Sequence, residues 1–234
     1  MGRRFSISFP DSPKPVKSHE NFLATLLAIM LRPKSKTISR MTLHTSSGAR
    51  KYLTTAERQR FARAADALPP EPRLFCLLLM WSGCRLSEAL AVTPLMIDRV
   101  GGTVAFVTLK RRKDAVVRQV PIPPSLMAEL VQCFDLAERE NDPGFRSARL
   151  WRWNRSTAWR YVKAAMKRAA LSGSAAMPKG LRHTFGVAAF EAVPPHIVQR
   201  WLGHASLRTT GIYGDVSGRE ERLFAERIWK AWGR

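Results

Sequence analysis

Cysteine is scarce in this chain. The three present, Cys76, Cys84 and Cys133, make no Cys-x-x-Cys and leave one over. That argues against a disulfide framework and reads as reduced core residues of a cytosolic protein. Histidine is nearly as sparse: His19, His44, His183, His196 and His204 form no His-Glu-x-x-His or comparable ligand set. No structural or catalytic metal is therefore expected. The apolar run of the N-terminal part, Phe22 to Leu31, is too short to span a bilayer. It starts late for a signal peptide and is followed by Arg32-Pro33-Lys34 where small residues would be needed. Acidic residues are few, 18 Asp and Glu against 39 Lys and Arg.

What is abundant is positive charge, a formal +21 with a pI near 11.2. Such an excess speaks of partners and not of fold. Nucleic acid is the leading inference and an anionic membrane surface the second. An apolar content of 45% with seven Trp supports a packed core, and 234 residues suffice for one domain with at most a small second one.

Along the chain, residues 1–50 read as a short N-terminal segment with a helix at 22–31, then a basic, polar, unpatterned linker at 32–50. Thr54-Thr55-Ala56-Glu57 is a capping box before a periodic segment that Pro69-Pro70 breaks. Arg73 to Ser82 predicts a buried helix, and Arg85 to Leu90 opens another after Ser82-Gly83. Thr103 to Leu109 and Val116 to Ile122 predict a β-hairpin with a basic tip, Lys110-Arg111-Arg112-Lys113-Asp114. Leu126 to Glu140 has helical spacing, and Leu150 to Arg168 interleaves Trp and Tyr with Arg and Lys. The latter suits a helix with one face on the core and cations on phosphates. Arg219 to Trp232 has an apolar face of its own. The fold class is mainly α with a small antiparallel β-sheet or hairpin.

Residues 177–216 carry the chemistry. Lys179, Arg182 and His183 lead a helical run at 184–190; Pro194-Pro195 starts a second helix that Gly203 ends; His204 follows, Ser206 is a fair N-cap, and Tyr213 lies in or just past the next short helix. Taken singly, Arg182 is an ordinary helix arginine, His204 a packing residue and Tyr213 a half-buried aromatic. Together, cations, an imidazole and a phenol without a carboxylate cluster suit phosphodiester chemistry by a covalent, metal-free route.

The string Leu181-Arg182-His183-Thr184-Phe185, then Leu202-Gly203-His204-Ala205-Ser206, then Thr209-Thr210-x-x-Tyr213 resembles the second signature box of the tyrosine recombinases, the phage integrase family. Ser82-Gly83-x-Arg85-x-x-Glu88-Ala89-Leu90 resembles the first box, and Leu53-Thr54-x-x-Glu57 the opening of the catalytic domain. The likeness spans about 53–216 and implies a recombinase catalytic domain at 51–216, with residues 217–234 a C-terminal helix that packs on its own domain or is exchanged between protomers. It implies that Tyr213 attacks a phosphodiester to form a 3′-phosphotyrosine, and that Arg85 and Arg182 stabilise the phosphoryl oxygens. It further implies that His204 hydrogen-bonds the phosphate, and that Glu88 buttresses Arg85 without touching substrate. A hairpin lysine, Lys110 or its competitor Lys113, protonates the 5′ oxygen. No cofactor is implied. The implied partners are double-stranded DNA, three further copies in a homo-tetramer and an accessory DNA-binding protein; the implied setting is the cytoplasm, at the nucleoid.

Two departures qualify the resemblance. Lys179 stands where the family usually has histidine, which keeps a phosphate contact but changes any proton-transfer role. Residues 1–50 are also too few for the usual helical domain that closes the clamp on DNA. The reading is a site-specific recombinase serving a mobile element, by integration, excision, inversion or resolution. Its alternatives are a DNA-binding relative that regulates recombination without cutting, and a type IB topoisomerase.

Overall fold

The structure, a computed structural model, describes residues 42–108, 116–214, 226 and 229–230. The expected helix at 22–31, the hairpin tip with Lys110 and Lys113, and most of the C-terminal segment lie outside the described residues.

Helix α1 (Thr55–Asp66) starts at the expected capping box: Thr54 Oγ1 accepts from the Glu57 N–H, and Glu57 Oε2 accepts from the Thr54 N–H at 2.7 Å. Caps of this kind stabilise a helix by about 1 kcal/mol. Helix α2 (Pro70–Ser82) begins three residues before the expected start, because a proline at the first helical position has the right φ and lacks only an N–H that would be orphaned anyway. All seven residues from Leu74 to Met80 are buried, so α2 is the axis of the core. Helices α3 (Leu86–Ala89), α4 (Pro124–Cys133), α6 (Arg155–Arg168) and α7 (Pro178–Ala192) pack around it with α1. Trp151, fully buried, meets Phe75 of α2 edge-on with centroids 5.2 Å apart, and its indole N–H donates to the Glu71 carbonyl at 3.1 Å.

The sheet is antiparallel in the order β1 (Ile97–Asp98), β2 (Thr103–Thr108), β3 (Val116–Pro121), with Thr103 opposite Pro121 and Thr108 opposite Val116. The hairpin matches the expectation; β1, two residues long, has no period to read. Period-two alternation turns Val104, Phe106 and Thr108 of β2 inward, and Arg118 and Val120 of β3 with them.

Three expectations need correction. The helix read over 126–140 stops at Cys133, because Asp135 takes φ 50° and the Leu136 N–H turns back to the Val131 carbonyl. The aromatic segment 150–168 is helical only from Arg155, where Asn154 caps α6 by accepting from the Thr157 N–H at 2.8 Å. A five-residue helix, α5 (Pro143–Ser147), lies between these two. Residues 42–50, read as open linker, form a tight turn: His44 bridges Arg50, the Lys51 N–H donates to the Leu43 carbonyl at 2.8 Å, and Gly48 takes φ 78°. Leu43 is thereby buried in a second apolar cluster with Val187, Val198, Leu202 and Tyr213. A lone leucine in a polar stretch shows no periodicity, so composition could not reveal this anchor.

Helix α7 starts at Pro178, so Lys179, Arg182 and His183 lie within it and do not precede it. Helix α8 (Pro195–Leu202) ends at Gly203 in the left-handed conformation, and α9 (Leu207–Gly211) is capped by Ser206, as expected. No helix among the described residues is long and apolar enough to cross a membrane.

Candidate active site

The site is built where three helix ends meet the sheet. Gly83 ends α2 with φ 61°, and a Cβ there would lie 2.4 Å from Phe185 Cδ1. Its absence lets α7 close on the turn that leads to Arg85. Arg85 caps α3: its backbone N–H donates to Glu88 Oε2 at 2.8 Å and its Nη1 to Glu88 Oε1 at 2.6 Å. Glu88 is 2% exposed and also accepts from Arg118 Nη2 at 2.6 Å. Arg118 in turn donates from Nη1 to Thr108 Oγ1 at 3.1 Å and from Nε to the Trp201 carbonyl at 2.7 Å. One carboxylate thus holds two guanidiniums and links α3, the hairpin and the end of α8. Burial pushes the Glu88 carboxyl up, but Arg118, joined by Arg85, outweighs it and holds the group below its ordinary value.

Arg182 is 7% exposed and donates to the Gly83 carbonyl at 2.8 Å and the Leu202 carbonyl at 2.6 Å. These are the open ends of α2 and α8, so a single guanidinium satisfies carbonyls that no helix bond takes. Burial, with the charge of Arg85, lowers its pKa to about 10. His204 follows the α8 turn; its Nδ1 shares a hydrogen with Thr210 Oγ1 at 3.0 Å. Its ring lies parallel to that of Tyr213, centroids 6.1 Å apart. Burial, then Arg182 and Arg85, push its pKa down to about 3.

Tyr213 is 2% exposed. Its ring rests on Gly186, where a Cβ would lie 2.4 Å from Cζ, and its hydroxyl faces His183 Nδ1 at 3.4 Å. Burial raises the phenol above its ordinary value, with Arg182 and Arg85 pulling the other way. The structure therefore brings Arg85, Arg182, His204 and Tyr213 into one electrostatic neighbourhood. Lys179 is exposed on the first turn of α7, with its charge felt at His183. A cleft of about 820 Å³ opens between β3 and α8, lined by Arg118, Gln199, Arg200, Trp201 and His204 among others. Among the described residues no three His, Cys, Asp or Glu side chains gather in a way that would hold a metal ion.

Sequence reasoning missed Arg118 and His183. The signal for Arg118 was present: strand alternation puts it on the inward face with Val120, and a buried guanidinium requires a buried carboxylate. His183 shares a helix face with Gly186, one turn on, but nothing local says that a distant tyrosine lies there.

Two expected outcomes arise here. Gly186→Ala drives a methyl into the Tyr213 ring and should lower stability by about 1–3 kcal/mol. It should also speed nitration of Tyr213, followed by mass spectrometry; a variant unchanged in both measurements would show the seat to be yielding. The second concerns acid. Burial first, then Lys179, Arg182 and Lys51, lower the His183 pKa to about 4, and His204 is lower still. Below pH 6.5 the unfolded chain takes up protons that these folded imidazoles refuse, so stability is complete above that pH and lost as pH falls towards 4. For His183 the loss between pH 7 and 5 is on the order of 2 kcal/mol. Urea midpoints at the two pH values should show it, and a His183→Phe variant with the same pH slope as the parent would refute it.

The elements now assembled, arginines on two separate segments, an imidazole and a phenol on a mainly helical fold with a small sheet, define the class. The sequence pattern of the phage integrase family matches residues 51–220, and the chain belongs to that family. It is 31% identical to tyrosine recombinase XerA of Pyrococcus furiosus over 76% of this chain and 61% of that protein. The chain thus spans about three fifths of the length of this relative. The crystal structure of XerA recombinase has a TM-score of 0.62 at 23% identity, over 76% of this chain and 64% of that one. A structure of XerH site-specific recombinase bound to difH substrate has a TM-score of 0.61 at 20% identity, over 90% and 65%. These two likenesses establish the fold.

Proposed function

We propose that the chain cuts and rejoins double-stranded DNA at a defined site through a 3′-phosphotyrosine, as a site-specific recombinase serving a mobile element. The observation that carries this is the meeting of Arg85, Arg182, His204 and Tyr213, from separate segments, beneath a strongly basic chain. The names of XerA and of the difH-bound XerH support it.

In this reading Tyr213 Oη attacks phosphorus and the 5′ oxygen leaves. Arg85 and Arg182 suit the charge that grows on the non-bridging oxygens, since guanidiniums contact them in pairs. Their positions are set before substrate arrives, one by Glu88 and the other by two helix-end carbonyls. His204, held neutral and fixed by Thr210, donates to the phosphate from its remaining nitrogen. Lys110, with Lys113 its competitor, protonates the leaving oxygen, and Lys179 gives a further phosphate contact from its exposed place on α7. The bond energy stays in the phosphotyrosine, so a 5′ hydroxyl of another strand reverses the step, with neither ATP nor a metal ion needed. In this reading residues 51–216 form the catalytic domain, and the segment 217–234 packs on its own domain or is exchanged between the protomers of a tetramer. We place the work at the cytoplasmic nucleoid, with an accessory DNA-binding protein as a further partner.

The test is covalent trapping on nicked suicide duplexes cut from DNA flanking the gene, in metal chelator, on a denaturing gel. Wild type should give a shifted protein–DNA band and Tyr213→Phe none. Binding on a native gel without any adduct would replace this reading with that of a DNA-binding relative that does not cut.

A further inference from the structure

We propose that His183 is a further catalytic residue: its Nδ1 receives the phenolic proton of Tyr213 as the tyrosine oxygen bonds to phosphorus. The inference rests on the proposed function and supplies its missing base.

The geometry narrows the choice of acceptor. Among the described residues His183 Nδ1 is the hydrogen-bond partner of the Tyr213 hydroxyl, at 3.4 Å, a separation that closes as a proton is handed over. The other imidazole nearby, His204, stacks flat against the phenol ring, and its Nδ1 is engaged by Thr210. The carboxylate of the neighbourhood, Glu88, has both oxygens taken, one by Arg85 Nη1 and the other by Arg118 Nη2 and the Arg85 backbone N–H. The placement of His183 is also built in. His183 and Gly186 lie one turn apart on α7, and the Tyr213 ring occupies the space a Gly186 side chain would fill. Helix periodicity therefore holds the imidazole against the phenol.

A second, independent observation points to use. His183 is 4% exposed and its Nε2 is buried with no hydrogen-bond partner among the described residues. An imidazole kept for packing has both nitrogens satisfied or is replaced by a side chain without them, since an unpaired buried polar atom costs about 1–3 kcal/mol. In the tautomer that accepts from the phenol, the ring hydrogen sits on this Nε2. Burial first, then the charges of Lys179 on the preceding turn, the adjacent Arg182 and Lys51, disfavour the imidazolium, so the lone pair on Nδ1 is free before reaction. The transferred charge is transient: the proton returns to the phenol when a 5′ hydroxyl displaces the tyrosine.

The step balances. The Tyr213 O–H bond breaks and its O–P bond forms; the O5′–P bond breaks; the phenolic proton ends on His183 and that of the hairpin lysine on the 5′ oxygen.

The experiment measures single-turnover adduct formation on the nicked duplexes. Asn places an amide near the position of Nδ1 and cannot take a proton, so His183→Asn should slow the adduct about a hundredfold. Packing is separated from proton transfer in His183→Ala, whose cavity admits small heterocycles. Imidazole added to that variant should restore the rate. Pyrazole, of the same size and far less basic, should not. Equal rescue by both would assign His183 to packing and overturn the proposal. So would an adduct that is lost in Tyr213→Phe yet forms at nearly the parental rate in His183→Asn; that pattern leaves the recombinase reading intact. A His183→Asn variant that forms adduct faster than wild type would make the contact a latch on the tyrosine, again overturning the proposal. Absence of adduct in wild type would remove the recombinase reading, and this inference with it.

Discussion

Arg182→Lys is expected to slow adduct formation at least about a hundredfold while weakening DNA binding by no more than about twofold. The asymmetry follows from geometry. Arg182 donates from two different nitrogens to the ends of α2 and α8, and the flat fork keeps further N–H groups for a phosphate. An ammonium of similar charge cannot span both carbonyls and face a transition state at once. Binding depends on the sum of many cations, with 39 Lys and Arg in the chain, so the loss of one fork in that sum is small. Lysine is preferred over alanine because it leaves a charge beside the two buried carbonyls. Single-turnover trapping measures the first quantity and a native gel titration at fixed salt the second. Parallel loss of both would make Arg182 a fold residue and withdraw the role proposed for it.

The second large effect is on stability. Glu88→Gln should cost about 3–5 kcal/mol, because it leaves a buried guanidinium without its counter-charge. The carboxylate side chain is 0% exposed and that of Arg118 2% exposed, so water does not compensate. Arg85 is the lesser loser: its side chain is 27% exposed and reaches solvent. Removing the stranded charge as well, in Glu88→Gln with Arg118→Met, should recover much of the loss, since the two residues share one interaction. Urea unfolding of the parent, both single variants and the double variant at pH 7 completes the cycle. An effect of Glu88→Gln below about 1 kcal/mol would show that the pair is solvated in practice.

Much of this was legible along the chain. The capping box at Thr54, the buried run from Leu74 to Met80, the paired strands and the glycine stop at 203 are local devices, each written in consecutive residues. The two boxes likewise point to the family, because residue identity at fixed spacing survives without a fold around it. Helix ends were less legible. Pro70 and Pro178 moved two starts upstream, and Asp135 in the left-handed region stopped α4 where the apolar spacing ran on. Spacing reports which face is apolar and not where the backbone turns.

What the sequence by itself determined is therefore the class of elements, a large excess of positive charge and the family that the two boxes announce, with Arg85, Arg182, His204 and Tyr213 as the residues to test. What only the tertiary structure decided is the pairing between distant segments. Glu88 meets Arg118 from 30 residues away, Leu43 anchors beneath the helices around Tyr213, and His183 faces Tyr213 across another 30. Such pairings have no period and no motif. The two polar ones are settled by which buried charge or hydroxyl remains unsatisfied once the core has closed, and the Leu43 anchor by which apolar surface is left to cover, and both are properties of the packed chain alone.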